Sequence, residues 1–107
     1  MFENTNKKRS TIDVSEIDDL LGKIELIDIR EPFEYRVGSI KTSKNIPMHD
    51  LLDNTDKYLE KNKEYYLICR SGARTASVCI DLRKKGFDVI NVYGGMVSYD
   101  GNHLNDC

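Results

Sequence analysis

The part of the sequence best suited to chemistry is a cysteine that ends an apolar run and opens a short basic loop. Residues 65–68 are aromatic or aliphatic, Cys69 follows them, and residues 70–74 combine small side chains with two arginines. A helical pattern begins near Arg74, so we expect the sulfur to lie beneath the N-terminus of a helix. Backbone N–H groups there lack intrahelical partners, and the aligned peptide dipoles act as roughly half a positive charge. Both effects favour the thiolate, which is the nucleophilic form of cysteine.

The residues of the loop are suited to binding an anion. Small side chains at Ser71 and Gly72 leave room for the backbone to curl and to point its N–H groups inward. Arg70 and Arg74 add full positive charges. The alternatives are a buried structural role for Cys69, since free cysteine is often buried, and ordinary surface charge for the arginines. The position of Cys69 between an apolar strand and a basic, glycine-containing loop favours the functional interpretation.

The elements that would position this loop alternate between strands and helices. Mostly apolar segments at residues 26–29, 65–68 and 87–92 indicate buried strands, and the last of them rests on Phe87, Val89, Ile90 and Val92. The helix after the loop has one buried face at three-and-four spacing, made by Thr75, Val78, Cys79 and Leu82. This alternation predicts an α/β fold, with a parallel sheet and helices on both faces. Ligands bind outside the carboxyl ends of the strands in such sheets, which is where Cys69 would lie.

Shorter segments complete the predicted order. Residues 12–14 are a candidate edge strand, and Ser15 with Asp18 resembles a capping box that starts a short helix. A second helix is expected to begin at Pro32, and residues 39–44 are expected to be a polar connection. The remaining predictions are an extended stretch at 45–47, helical segments at 48–52, 56–60 and 96–99, and a tight turn at 94–95.

Size and composition limit the kind of protein. A chain of 107 residues fits one domain, which we assign to residues 11–107 after a flexible polar tail at residues 1–10. The basic residues 7–9 of that tail could instead form a recognition segment. A formal net charge of −2 argues against general nucleic-acid binding, and no apolar run approaches the roughly 20 residues of a membrane span. The N-terminus lacks the apolar stretch of a secretory signal, and three cysteines without disulfide or zinc spacing favour a reducing, cytoplasmic setting.

Four segments, in this order and spacing, resemble the single-domain rhodanese family of sulfurtransferases. They are residues 26–31 (LIDIRE), 38–47 (GSI leading to NIP), 69–74 (CRSGAR) and 94–96 (GGM). The resemblance extends over residues 12–99, nearly the whole chain. It implies a rhodanese-like fold, with a central, mostly parallel sheet of about five strands and helices on both faces.

The resemblance also implies a mechanism. The Cys69 thiolate would attack the outer sulfur of thiosulfate, sulfite would leave, and a thiol on a small molecule or a protein would collect the sulfur from a Cys69 persulfide. The arginines favour thiosulfate over mercaptopyruvate as the donor, because they would attract and orient a dianion. No metal, cofactor, nucleic acid or membrane is implied. The implied substrate-binding residues, whose N–H groups would hold the developing charge, are Arg70, Ser71, Gly72, Ala73 and Arg74.

Two further pairs of residues need an interpretation. Asp28 and Arg30 follow a buried strand, and we expect an ion pair that braces the loop, with direct substrate contact as the alternative. Cys79 is expected to pack in the core, because about a turn and a half of helix separates it from the end of the loop. Its alternative role is a resolving thiol. Cys107, near the chain end, is expected to be incidental.

The remaining candidates are expected to have structural or surface roles. His49 and His103 have no partners at catalytic or metal-binding spacing. Ser39 stands where the rhodanese family often has histidine, and the family often has tryptophan near the position of Tyr99. Both are interpreted as packing positions, so we expect these differences to change stability rather than activity.

Three competing functions remain open. Phosphatases and arsenate reductases also use a cysteine beneath a helix, but their loops have one residue more than the four between Cys69 and Arg74. The shorter loop makes a smaller cradle, which is better suited to one sulfur than to a tetrahedral oxyanion. The domain could also be a persulfide relay, loaded by one protein and unloaded onto another through the same Cys69. The third alternative is a regulatory module whose cysteine is idle.

Overall fold

A computed structural model describes residues 9–106 of the chain. Residues 1–8 of the predicted tail and Cys107 lie outside this part, so the expectations for them stay predictions. The strands are β1 (Thr11–Asp13), β2 (Glu25–Asp28), β3 (Gly38–Ile40), β4 (Lys44–Asn45), β5 (Glu64–Ile68), β6 (Asp88–Tyr93) and β7 (Leu104–Asp106). The helices are a 3-10 helix (Val14–Leu20), α1 (Pro32–Val37), α2 (Met48–Asp53), α3 (Thr55–Tyr58), α4 (Ala73–Lys84) and α5 (Gly95–Ser98). Within the described residues, no helix is both long and apolar enough to cross a membrane.

Five of the strands form one parallel sheet, in the order β1-β6-β5-β2-β4. The strand before the cysteine, β5, is central, and it pairs with β6 on one side and β2 on the other. The short β1 lies at an edge, as predicted. Because all five strands run in one direction, the segments that follow β2, β5 and β6 meet at the same edge of the sheet. The predicted parallel sheet of about five strands is confirmed.

Hydrophobic cores lie on both faces of this sheet. On one face, Leu67 of β5 packs in a cluster with Leu82 of α4. On the other face, its neighbour Ile68 packs with Ile17 of the 3-10 helix and with Met96 of α5. Full burial of an aliphatic side chain of this size contributes about 1.5–3 kcal/mol. Helices therefore cover both faces, as predicted, and the central strand that precedes the cysteine is anchored from both sides.

Helix α4 begins within the basic loop, at Ala73, and ends where the sequence predicts. Gly86 follows it with a φ of +97°, a conformation that glycine adopts without strain. The N–H of Gly86 donates to Arg83 O at 3.0 Å, and the N–H of Phe87 donates to Leu82 O at 3.0 Å, which is the Schellman pattern. The predicted buried face is confirmed, since all four of its residues are buried: Thr75, Val78, Cys79 and Leu82.

The first helical segment begins earlier in the chain than predicted. The expected capping pair of Ser15 and Asp18 is wrong. Instead, the N–H of Ser15 donates to Asp13 Oδ2 at 3.0 Å, and the N–H of Asp13 donates to Glu16 Oε2 at 3.1 Å. The reason is that Val14 is almost fully buried. The chain must turn into the core directly after β1, so the helix begins at Val14.

The expectation of a polar connection over residues 39–44 is wrong in its first part. Ser39 and Ile40 are buried in β3, which pairs antiparallel with β7 in a second, two-stranded sheet. The N–H of Lys41 continues this contact by donating to His103 O at 2.7 Å. Strand β7 also follows the run at residues 87–92 that was predicted to be the last strand. The sequence does not predict β3 and β7, because a three-residue strand is too short to show a hydrophobic period. Their pairing also joins residues that are far apart in the sequence.

The last residues of the predicted tail contact the domain. Arg9 forms an ion pair with Glu16 of the 3-10 helix, with Nη2 2.9 Å from Oε2. The carbonyl oxygen of Ser10 accepts a hydrogen bond from the N–H of Asn91 at 3.0 Å. Ser10 therefore continues the contact of β1 with β6, and Arg9 contacts the 3-10 helix.

Candidate active site

Cys69 lies at the carboxyl edge of the sheet, between the end of β5 and the start of α4. The residue is only 1% exposed. The N–H of Gly72 donates to its sulfur, with 3.1 Å between N and Sγ. The hydroxyl oxygen of Thr75, in the first turn of α4, is 3.7 Å from the same sulfur. The sulfur thus lies beneath the helix N-terminus, where the sequence predicts it.

Gly72 is the residue that turns the loop into the helix. Its φ of +95° lies in the left-handed region, which favours glycine. A Cβ at this position would also stand 3.0 Å from the backbone nitrogen of Gly94. Two separate constraints therefore require glycine here, and together they direct the Gly72 N–H towards Cys69.

The hydrogen bonds around Cys69 favour its ionised form. Burial raises the pKa of the thiol, because a thiolate loses solvation in the interior. Hydrogen bonds from the N–H and hydroxyl of Thr75, and from the N–H groups of Gly72 and Ser71, lower the pKa by more. The net effect is a pKa below the ordinary value of cysteine. The site can therefore supply a thiolate at a pH where an ordinary cysteine is mostly protonated.

Arg70 and Arg74 lie in the loop that follows the cysteine, and within the described residues no carboxylate pairs with either. Arg70 follows Cys69 directly, and Arg74 lies in the first turn of α4, where the sequence predicts it. Both side chains are exposed, and within the described residues neither forms an ion pair with a carboxylate. Ser71 and Ala73 are also exposed. Two exposed guanidinium groups on residues of the cysteine loop add positive charge to this edge of the sheet, and such charge attracts small anions.

The Gly94–Gly95 turn after β6 brings the chain into contact with the cysteine loop. The N–H of Met96 donates to Cys69 O at 2.9 Å, and the N–H of Val97 donates to Arg70 O at 2.8 Å. The turn itself was predicted, but its contact with the loop was not. N–H groups of α5, which begins at this turn, thus hold the carbonyl groups of Cys69 and Arg70.

Asp28 and Arg30 form a buried ion pair at the end of β2. Arg30 Nη2 is 2.8 Å from Asp28 Oδ2, and Arg30 Nε is 3.0 Å from Asp28 Oδ1. Arg30 Nη2 also donates to the carbonyl oxygen of Gly38 at 2.7 Å. Asp28 lies opposite Ile68 in the sheet register. The predicted ion pair is present next to the start of the loop, and its charges are directed to each other and to Gly38.

Other predicted candidates lie away from this chemistry. Cys79 is fully buried in the α4 face of the core, and burial raises the pKa of its thiol to about 11. His49 and His103 have exposed side chains, each near one carboxylate. Among the described residues, no group of three or more His, Cys, Asp or Glu side chains could hold a metal ion. These placements agree with the packing role predicted for Cys79 and the surface positions predicted for the histidines.

The two positions that differ from the usual rhodanese pattern lie in packed surroundings. Ser39 is buried in β3, and Tyr99 packs against the core on the 3-10 helix side of the sheet. The Tyr99 hydroxyl donates to Asp18 Oδ1 at 2.6 Å. Both positions contribute to packing around the second sheet and the 3-10 helix, and neither residue contacts Cys69.

Asn91 is a residue of the site that the sequence patterns do not predict. This buried side chain of β6 contacts Thr75, whose hydroxyl is within hydrogen-bonding distance of Asn91 Oδ1. The Thr75 hydroxyl also lies 3.1 Å from the carbonyl oxygen of Gly72. One signal was available, since Asn91 is a lone amide within the apolar run at residues 87–92. Buried polar side chains usually have a hydrogen-bonding role.

Comparisons with known proteins agree with this geometry. The family model described as "Rhodanese-like domain" matches residues 13–102. The chain is 39% identical over 95 residues to the candidate sulfurtransferase YtwF of Bacillus subtilis, covering 89% of this chain and 91% of that protein. It is 35% identical over 75 residues to a sulfurtransferase of Allochromatium vinosum, covering 69% of each.

Solved structures lead to the same assignment. The crystal structure of a rhodanese-like domain protein from Staphylococcus aureus superposes with a TM-score of 0.81 at 32% sequence identity. The match covers 92% of this chain and 98% of that one. With the fold, the loop and the family match in agreement, the chain belongs to the rhodanese-like family of sulfurtransferases.

Proposed function

We propose that this protein moves a sulfane sulfur from thiosulfate, or a related small anionic donor, to a thiol acceptor through a persulfide on Cys69. The observation that carries the proposal is the Gly72 N–H, which donates to the Cys69 sulfur at 3.1 Å. This hydrogen bond lies at the positive end of α4, a helix of 12 residues. Such an environment supports a thiolate that attacks an anionic donor.

The proposed reaction consists of two displacements. In the first, the Cys69 thiolate attacks the outer sulfur of thiosulfate, and a new S–S bond forms while the S–S bond of the donor breaks. Sulfite leaves with the electron pair of the broken bond. In the second, a thiolate acceptor attacks the outer sulfur of the persulfide, and Cys69 departs as a thiolate. A lowered pKa favours both steps, since Cys69 is the nucleophile of the first and the leaving group of the second.

The loop residues would have separate tasks in this reaction. The N–H groups of the loop would stabilise negative charge on the sulfur atoms. Arg70 and Arg74 would attract the thiosulfate dianion and orient its oxygen atoms. Because Cys69 is 1% exposed, only a slender group would reach its sulfur. We therefore expect activity with thiosulfate and none with aryl phosphates.

A persulfide relay between proteins is the second candidate function. Two large apolar side chains beside the loop favour it, since Tyr93 is 61% exposed and Val97 is 65% exposed. The N–H of Val97 bonds the loop at Arg70 O, and the Tyr93 Cα lies 3.6 Å from a Cβ placed on Gly72. Exposed apolar groups beside a reactive site are typical of surfaces that contact another protein. In this version, the donor or the acceptor is a protein thiol.

The two versions predict different kinetics. Thiosulfate turnover would be measured with cyanide as the acceptor, and protein-borne transfer with a cysteine desulfurase loaded with labelled sulfur. For the relay, Tyr93→Ser and Val97→Ser would slow sulfur uptake from the desulfurase and leave thiosulfate turnover unchanged. For the small-donor enzyme, neither change would alter thiosulfate turnover, and uptake from the desulfurase would be negligible.

The thiosulfate reaction itself is tested by thiocyanate formation. We expect Cys69→Ser to abolish it while circular dichroism remains that of the wild type. Cys79→Ala serves as the matched control, because it removes the other described thiol from the core without touching the loop. A Cys69→Ser protein that still forms thiocyanate would overturn the proposal.

The proposed reaction also bears on location. It needs Cys69 as a free thiol, and both cysteines within the described residues are free. We infer a reducing, cytoplasmic setting, since the cytosol keeps thiols reduced. Recovery of the protein in an oxidised or exported fraction would contradict this inference.

A further inference from the structure

Asn91 is a buried polar side chain without an obvious structural reason for being polar. It is 6% exposed in β6. Its neighbours Ile90 and Val92 belong to the core on the 3-10 helix side, and Val89 belongs to the core on the α4 side. Side chains alternate along a strand, so Asn91 points to the α4 side. An apolar residue would be expected at such a position, because burying an amide costs free energy unless it is hydrogen-bonded.

The hydrogen-bonding partner of Asn91 is the hydroxyl of Thr75, which lies near three acceptors. The Thr75 oxygen lies within hydrogen-bonding distance of Asn91 Oδ1, 3.1 Å from Gly72 O and 3.7 Å from Cys69 Sγ. A threonine hydroxyl has a single proton to donate. The amide oxygen, the carbonyl oxygen of Gly72 and the cysteine sulfur therefore compete for one proton.

We propose that Asn91 is a positioning residue that sets the reactivity of Cys69 by competing with its sulfur for the hydroxyl proton of Thr75. While Cys69 is a thiol, the Thr75 proton is directed to Asn91 Oδ1, and the thiol can donate its own hydrogen to the Thr75 oxygen. When Cys69 ionises, its proton leaves to solvent and the Thr75 hydroxyl turns towards the thiolate. That turn breaks the hydrogen bond to Asn91, so ionisation is less favourable than it would be without the amide.

This competition has a use in sulfur transfer. Each hydrogen bond to a thiolate lowers its pKa, but the intrinsic nucleophilicity of the sulfur falls with the pKa. The best attacking thiol has a pKa near the ambient pH. The loop N–H groups lower the pKa of Cys69, and Asn91 limits how far the Thr75 hydroxyl adds to that effect.

The inference rests on the proposed function only in taking Cys69 as the nucleophile. The test of Asn91 measures ionisation of the Cys69 thiol without any sulfur donor. The role of Asn91 can therefore be disproved while the proposed sulfur transfer stands. Likewise, sulfur transfer can be disproved while the role of Asn91 stands. The variants below leave the other charged and titratable groups on the surrounding elements unchanged. Those groups are Arg70, Arg74, Cys79 and the ion pair of Asp28 with Arg30.

The experiment is the pH dependence of Cys69 alkylation by iodoacetamide in two variants with opposite expected effects. Asn91→Leu removes the competing acceptor and frees the Thr75 proton for the sulfur, so we expect the pKa to fall by about one unit. Alkylation on the acidic side of the profile would then be about tenfold faster. Asn91→Asp offers a stronger acceptor and a negative charge, so we expect the pKa to rise. Shifts in the same direction, or none, would overturn the proposal.

The hydroxyl itself supplies the decisive comparison. Thr75→Val removes the proton, so we expect it to raise the pKa of Cys69 and to abolish the effect of Asn91→Leu in the double variant. If Asn91→Leu still lowers the pKa in the Thr75→Val background, Asn91 does not act through the hydroxyl and the proposal fails. If the Asn91 variants do not fold, an unshifted pKa in Thr75→Val overturns it. Thr55→Val is the matched control, because this buried hydroxyl bonds Leu51 O at 2.8 Å and should leave the pKa unchanged.

Discussion

Gly95 lies directly against Cys69: a Cβ added to Gly95 would stand 2.6 Å from the carbonyl oxygen of Cys69. The same Cβ would stand 2.6 Å from the carbonyl oxygen of Arg70. Both are backbone atoms of the proposed catalytic loop, so they cannot move away without changing its shape. The shape of the loop after β5 thus depends on a glycine after β6.

Gly95→Ala should weaken both the fold and the sulfur transfer. Gly95 has a φ of +59°, which strains a residue with a side chain, and the contacts with the loop add overpacking. We expect the free energy of unfolding to fall by about 1–3 kcal/mol. Displacement of the loop should also lower kcat for thiosulfate at temperatures where the protein remains folded. Urea unfolding and thiocyanate formation measure the two effects.

Gly22→Ala is the matched control for this change. Gly22 also has a positive φ, +84°, but a Cβ there would meet nothing within 4 Å. It should therefore lose stability through backbone strain alone, by about 1 kcal/mol, and keep its wild-type kinetics. Equal kinetics in Gly95→Ala and Gly22→Ala would contradict the role assigned to the contact.

Alkylation should distinguish the two described cysteines. The pKa of Cys69 is lowered and that of Cys79 is raised to about 11. The thiolate fraction of Cys69 therefore rises at lower pH than that of a free cysteine, while Cys79 stays a thiol. Of these two cysteines, iodoacetamide should label Cys69 in the native protein at neutral pH, and Cys79 only after denaturation. Peptide mapping at several pH values checks this order, and early labelling of Cys79 would contradict it.

Arg74→Ala should weaken donor capture. Loss of a charge-assisted contact to the dianion should raise KM for thiosulfate by about tenfold, with a smaller effect on kcat. Arg74→Lys should have a KM between those of the wild type and Arg74→Ala, because lysine keeps the charge but loses the planar pair of donors. The exposed Arg36 on α1 offers a matched control, and Arg36→Ala should leave KM unchanged. Unaltered thiosulfate kinetics in Arg74→Ala would remove Arg74 from the site.

Asp28→Asn should reduce stability rather than substrate binding. It leaves Arg30 buried without a countercharge, and breaking such a pair costs about 3–5 kcal/mol. KM for thiosulfate should stay near the wild-type value in the folded protein. Glu16→Gln, which breaks the exposed pair with Arg9, should lower stability by less than Asp28→Asn does, because solvent screens an exposed pair. A large rise in KM with little loss of stability would instead favour direct substrate contact by Asp28 or Arg30.

The parts of the site that the sequence predicts are those written in consecutive residues. Cys69 can be recognised because of the order of segments around it. An apolar strand precedes the cysteine, and a basic, glycine-containing loop and an amphipathic helix follow it. Each of these signals comes from local geometry. The ion pair of Asp28 and Arg30 is equally local, because its members are two residues apart at the end of one strand.

What the sequence does not predict depends on contacts between distant segments. Asn91 reaches Thr75 only because β6 pairs with β5 beneath the start of α4. The pairing of β3 with β7 joins three-residue strands that lie far apart in the sequence. From the sequence, Gly95 is predicted only as a turn residue, because its close approach to the loop backbone is visible only in the structure. In each case, the physical cause is tertiary packing, which has no period or motif in the sequence.

The persulfide on Cys69 is tested by the intact mass of the protein after treatment with thiosulfate and removal of the excess. We expect a gain of one sulfur atom per chain, located on Cys69 by peptide mapping and reversed by cyanide. The gain should be absent from Cys69→Ser and present in Cys79→Ala. An unchanged mass in the wild-type protein, or a sulfur carried by another residue, would contradict the central claim.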